Sequence, residues 1–353
     1  MAYTTINKGS SYFNTVLYTG TGASNSVTGV GFKPDWVWIK SRSLVRSNQL
    51  NDIVRGAGII LATDNTSAEF TDTNRISSFN VDGFSLGTND NVNGSGATYV
   101  GWNWLGSNTT TSNTSGTITS TVSANTTSGF SIVGYTGNLT NGATVGHGLG
   151  VAPSMMIVKR RNNADNWIVY NRAMSSSGDY YLYLQSTDAK SNLYNQFYDT
   201  APTSSVFYLS NSNATNASGD TYIAYCFAEV KGYSKFGSYT GNGSTDGTFV
   251  YTGFKPAFVM TKSSSTGGTY YDWGIMDNKR ANSFNVINAQ VCANLSDEEN
   301  SANIGSQKID FLSNGFKPRV NGSSHNASGV TYIYMAFAEN PFVTSGGIPV
   351  TAR

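Results

Sequence analysis

The sequence predicts an all-β protein made of three tandem β-sandwich repeats of jelly-roll or lectin-like type. Three observations predict it. Aromatic residues make up 13% of the 353 residues, set among 38 glycines and many Ser, Thr and Asn, a mixture that suits pleated strands joined by tight turns. Apolar residues alternate over short runs at intervals of 8 to 15 residues, and no 3.6-residue period is sustained anywhere. One set of markers then recurs three times in the same order.

The first repeat spans residues 1–105. It carries YTG at Tyr18, GFKPDWVWIK at 31–40, NQLNDIVRG at 48–56, FNVDGFSLG at 79–87 and a closing strand in ATYVGWNWLG. In DWVWIK, Trp36 and Trp38 point to one face and Val37 and Ile39 to the other, so this strand is expected to be covered on both sides. Residues 106–129, GSNTTTSNTSGTITSTVSANTTSG, almost lack large apolar side chains and read as a linker or an extended arm. Alternation in GTITSTVS favours at least one strand there.

The second repeat, 130–231, brings Tyr135, GVAPSMMIVKR at 150–160, NWIVYNRAM at 166–174, SVFYLSN at 205–211 and DTYIAYCFAEV. The third, 232–342, brings Tyr239, GFKPAFVMTK at 253–262, YDWGIMDNKR at 271–280, KIDFLSNGFKPRV at 308–320 and VTYIYMAFAENPF. Val100, Trp102 and Trp104 share one strand face, as do Ile333, Met335 and Phe337, with Tyr332 and Tyr334 opposite. The short junction at 229–239 implies that repeats two and three pack together. Residues 343–353 read as a C-terminal tail.

The balance of 22 basic and 21 acidic residues leaves no electrostatic footprint for nucleic acid or an anionic membrane. The start has no apolar signal core and no run reaches the ~18 to 20 apolar residues of a membrane span, so synthesis in a cytoplasm without membrane insertion is expected. Two cysteines, Cys226 and Cys292, are too few for a disulfide framework or a zinc site. His147 and His325 sit in Gly/Ser/Asn-rich turns and read as exposed.

No Ser or Cys motif has a suitable base, and Asp297, Glu298 and Glu299 read as a solvated cluster, so no enzyme activity is expected. Asn89, Asp90, Asn91 and Asn93 offer oxygen ligands but a single carboxylate, so they read as a turn and no metal or cofactor is expected. Asp52 with Arg55, and Asp277 with Arg280, share Asp-x-x-Arg and read as structural ion pairs. The second repeat offers only Asn171 and Arg172 in their place. Carbohydrate recognition suits the aromatic and Asn-rich composition, with Trp102, Trp104, Trp167 and Trp273 as candidate platforms against the competing reading that they pack a core.

YTGNGS, GFKPDWVWIK, NDIVRG, SSFNVDGFSLG and TYVGWNW together resemble an all-β domain of marine and cyanobacterial tailed-phage virion proteins of the tail-fibre or structural type. The resemblance is closest over residues 15–105 and 236–342 and weakest in the second repeat. It implies a virion protein released by lysis, acting as a tail-fibre or tail-tip adhesin. The alternatives are a capsid decoration or head-fibre protein and, from another class, a glycan-degrading tail enzyme. It further implies other virion proteins as partners, a homo-oligomer with a trimer favoured, and a host-surface glycan or protein as the target. Residues 1–14 are a candidate anchor to neighbouring subunits.

Overall fold

Alternating apolar text in the strands leaves each large sheet with two faces to cover, and the fold is the solution to that demand. The computed structural model describes residues 4–280, 285–304 and 307–341. The proposed tail at 343–353 lies outside them. The protein is all-β, with antiparallel sheets and only single-turn helices among the described residues.

The same strand order recurs in three segments of the chain. The first large sheet runs Phe13–Thr19, Thr98–Trp104, Trp36–Ser41, Gln49–Asp52 and Gly56–Leu61. The second repeats it with Phe130–Thr136, Thr221–Phe227, Met155–Arg160, Trp167–Asn171 and Leu182–Tyr183, and the third with Ser234–Thr240, Thr331–Pro341, Phe254–Ser263, Gly274–Asp277 and Gln290–Cys292. Register is kept as well as order. Tyr18 pairs with Tyr99, Tyr135 with Tyr222 and Tyr239 with Tyr332. Residues 106–129 are an arm rather than a free linker. They add the strands Thr111–Asn113 and Ser120–Asn125 to the edge of the second large sheet.

Each large sheet turns its outer face to a small sheet. In the first segment Val37, Ile39 and Tyr99 meet Val27, Ile76, Phe84 and Leu86 from Asn25–Val27, Ile76–Asn80 and Gly83–Leu86. The inner faces of all three large sheets meet in one core. Trp36, Trp38, Trp102 and Trp104 join Phe130, Met155, Ile157 and Phe227 from the second segment and Phe258, Met260, Met335 and Phe337 from the third. Trp36 stacks on Tyr225 at 4.5 Å and Phe13 on Phe337 at 5.0 Å, so rings from different segments interleave. Within the N-terminal stretch expected to act as an anchor, Ile6 and Phe13 are buried in this core.

The recurring YTG marker proves to be a fold clamp. Its tyrosine stacks on the first tyrosine of the closing strand, at 5.1 Å in the first two segments and 5.2 Å in the third. Its hydroxyl donates to a backbone carbonyl in the turn before that strand, at Val92, Thr215 or His325. One residue further on, a buried asparagine (Asn93, Asn216 or Asn326) accepts from the backbone N–H after the YTG glycine and donates to carbonyls on either side. The glycine is required by close approach. A Cβ on Gly20 would stand 2.2 Å from Gly94 O.

Candidate functional site

The Asp-x-x-Arg residues close two buried charge relays between segments. Arg55 Nε lies 2.6 Å from Asp52 Oδ2, and the same carboxylate accepts from Tyr225 OH of the second segment at 2.8 Å. Arg161 of the second segment grips Glu69 of the first with two bonds of 2.8 and 2.9 Å, and Glu69 also faces Arg55. The seam between the third and first segments repeats this design. Arg280 meets Asp277 at 2.6 Å, Trp102 Nε1 donates to Asp277 at 3.0 Å, and Arg42 holds Glu299 with two bonds of 2.9 Å. Burial opposes the charge on Arg55, yet Asp52 beside it holds the guanidinium above its ordinary range. The side chains of Asp52 and Asp277 have no exposed surface, whereas those of Glu69 and Glu299 keep 18% and 13%.

At the seam between the second and third segments every member of the relay is replaced. Strand register puts Asn171 at the Asp position, Met174 at the first Arg position, Met335 opposite, and Lys190 and Ser264 in place of Glu and Arg. Arg172, which the sequence offered as the second segment's arginine, is instead exposed. Lys190 donates to Met174 O and lies over the Tyr180 ring at 4.0 Å. Half a relay would leave a buried charge unpaired, which costs more than losing the whole.

The tryptophan platforms are overturned. Trp102, Trp104, Trp167 and Trp273 are each at most 1% exposed, because their strand faces line the common core. Trp167 Nε1 donates to Ala62 O of the first segment and Trp273 Nε1 to Tyr183 O of the second, both at 2.9 Å, so they tie segments together. The histidines also differ from expectation. His147 and His325 are buried, because the turns that carry them fold down onto the sheets. His325 shares a hydrogen bond with Thr261 Oγ1, and burial holds its imidazole down to about 3. Among the described residues no three His, Cys, Asp or Glu side chains converge as a metal site would require.

Apart from smaller clefts of about 170 Å³ beside Phe13 and about 150 Å³ beside Phe70, two larger clefts open between a hairpin loop and the turn that faces it. In the first segment a cleft of about 700 Å³ lies between the hairpin loop at Arg46 and Ser47 and the turn at Asn89–Asn91. In the second, a cleft of about 530 Å³ lies between Asp165 and Asn166 and the corresponding turn at Asn211–Asn213. The third segment bridges that gap with a hydrogen bond from Ser324 Oγ to Tyr270 O. The linings differ in chemistry. The first is charged, with Arg46 and Asp90, whereas the second gathers amides beside Leu193 and Tyr194, which are 74% and 60% exposed.

Comparison with known families finds a domain of unknown function, DUF7483, matching residues 8–341. The chain belongs to the DUF7483 family. One DUF7483 domain therefore covers all three segments, in keeping with a core that no segment completes alone. No curated protein and no solved structure matches the chain. Among the described residues no helix is long and apolar enough to cross a membrane.

Sequence reasoning missed the clefts because they depend on how two loops diverge in space. One signal was available. The stretch from the fifth strand of the shared order to the small sheet is longest in the second segment, at 184–205 against 62–75, which itself holds the short edge strand Phe70–Thr71, and 293–308; it carries Leu193 and Tyr194 among polar neighbours.

Proposed function

We propose that this DUF7483 chain is three β-sandwich units closed around a common core, and that it serves as a structural and adhesive protein of a bacteriophage particle, most readily a tail-fibre or tail-tip adhesin. The observation that carries this reading is the use made of the polar and aromatic residues. The motifs that recur, the YTG clamp, the buried asparagines and the charge relays, all tie the chain to itself, while the exposed loops differ from segment to segment at an equivalent cleft. A rigid body with variable loops suits attachment better than catalysis. The resemblance to virion domains supplies the biological setting.

The second reading, a capsid decoration or head-fibre protein, draws support from the threefold recurrence within one chain, which would match a position of local threefold symmetry on a shell. A homotrimer would need an interface outside the common core, whose inner faces are already consumed. Immunogold labelling of intact particles with antibody against the recombinant chain tests both readings. Gold at the tail supports the adhesin, gold over the head supports decoration, and bare particles defeat a virion role.

A further inference from the structure

Resting on the adhesive reading, we propose that the cleft of the second segment binds a neutral saccharide, with a sugar face on Tyr194 and hydroxyls held by the amides of Asn195, Asn211 and Asn213. The place is marked by recurrence, since an equivalent cleft opens in the first segment and is bridged shut in the third. In the first segment the corresponding rim carries Phe70, which is 43% exposed and has the Arg75 guanidinium over its ring at 4.8 Å, whereas the rim of the second carries Tyr194, 60% exposed and set among amides. The long loop of the second segment carries Lys190 at the place of Glu69 and Glu299 and meets the third segment through Thr187 O, Asp188 O and the Lys190 N–H, all in its first half, so Leu193 and Tyr194 lie beyond the seam contacts.

The rim is held ready rather than loose. Ser191 exchanges two backbone hydrogen bonds with Tyr181, at 3.0 and 2.9 Å, on one side of Tyr194. On the other side Phe197 is buried against Tyr170 at 5.9 Å and Gln196 accepts from Ser212 Oγ at 2.8 Å. Between these pins Leu193 and Tyr194 stand in solvent on a held backbone, so binding orders two side chains and not a whole loop. Just beyond, Tyr198 and Asp199 adopt φ of 57° and 45°, a left-handed conformation that side chains with a Cβ rarely take. Asn195 Oδ1 accepts from Asp199 N at 3.1 Å and holds that bend. Backbone strain of this kind persists where the surroundings over-determine it, often beside a ligand.

The chemistry of the lining selects the ligand class. No basic residue lines the cleft, so an anion has no counter-charge, and its one carboxylate, Asp165, already faces Arg160 at 3.3 Å. The side chains of Asn211 and Asn213 are exposed and make no hydrogen bond to another described residue. Each amide offers both donors and an acceptor, which matches the paired donor and acceptor character of a sugar hydroxyl. The exposed apolar area is that of Leu193 and Tyr194, beside the half-buried Tyr183 and the buried Ala214, enough for the C–H face of one ring and too little for a protein interface.

The test is saturation-transfer NMR of the full chain with a panel of neutral oligosaccharides of glucose, galactose, mannose and N-acetylglucosamine, run beside a host-cell binding assay. Tyr194→Ala should weaken saccharide binding by about tenfold or more and Asn213→Ala by several-fold, both with an unchanged unfolding midpoint, while Val45→Ala in the first cleft leaves it unaltered. Absence of transfer to the wild-type chain across the panel, or equal transfer to Tyr194→Ala, overturns the site. Host cells that bind wild type and Tyr194→Ala equally, with no saccharide transfer to either, overturn the site and leave the adhesive reading standing. Saccharide binding without host-cell binding keeps the site and removes the adhesive reading.

Discussion

Two seams of this molecule are closed by buried ion pairs and the third is not, although the same strands build all three. The first–second and third–first seams each carry a five-residue relay ending in Tyr225 or Trp102. The second–third seam is closed by packing, by Trp273 reaching Tyr183 O, and by Lys262, whose ammonium donates to Thr187 O and Asp188 O at 3.1 and 2.9 Å. Among the described residues the sole ion pair across it is Lys235 with Glu229 at 3.7 Å, beside the covalent junction. The difference teaches that a buried relay is replaced as a unit. All five positions differ at the second–third seam, and an Asn opposite a buried Arg would be worse than either arrangement.

Breaking a relay gives the largest expected effect. Asp277→Ala leaves Arg280 buried without its partner and should cost about 3–5 kcal/mol in urea unfolding, whereas Asn171→Ala at the equivalent place should cost only about 1 kcal/mol. Equal costs would erase the distinction between seams. Next in size, Lys262→Met strands two carbonyls of the second segment and should cost about 1–3 kcal/mol at pH 7, again by urea unfolding.

The buried lysines sharpen the comparison through pH. Lys40, Lys159 and Lys262 hold the same strand position, and burial pushes the first two down to about 8 and Lys262 to about 7. With an unfolded value near 10.5, the unfolded chain holds more protons than the folded one between pH 7 and 10.5 for Lys262, so this group makes stability rise with pH across that window. Wild type should gain up to about 1.4 kcal/mol per pH unit from Lys262 between pH 7 and 9, and Lys262→Met should lose that slope. An unchanged slope in the variant would place the titration elsewhere.

The smallest expected effect is the most diagnostic. Transplanting the second–third set into the first–second seam, as Asp52→Asn, Arg55→Met, Glu69→Lys, Arg161→Ser and Tyr225→Met together, should leave stability within about 1–2 kcal/mol of wild type. Asp52→Asn alone should cost about 3 kcal/mol. Additive losses in the fivefold variant would mean that the five residues do not act as a unit.

Much of the strand framework was legible because period-two text is local. Trp36 and Trp38 do face opposite to Val37 and Ile39, and Tyr332 and Tyr334 opposite to Met335 and Phe337. What covers each face was not legible, since an apolar face specifies burial and not a partner. Hence the tryptophans could be proposed as platforms when they fill a core shared by three segments. His325 misled for a related reason. A Gly/Ser/Asn-rich turn is ordinarily exposed, yet here it is drawn under the YTG clamp by Tyr239 OH on its own carbonyl. The Asp-x-x-Arg pairs could be read from spacing, but Tyr225 and Trp102 lie about 170 residues away and no local pattern names them.

The central claim is that three segments complete one core. Differential scanning calorimetry tests it directly by comparing the calorimetric enthalpy with the van't Hoff enthalpy of the same transition. A single transition with the two enthalpies equal is the predicted result. Separate transitions, or a calorimetric enthalpy about three times the van't Hoff value as three independent units would give, would contradict it.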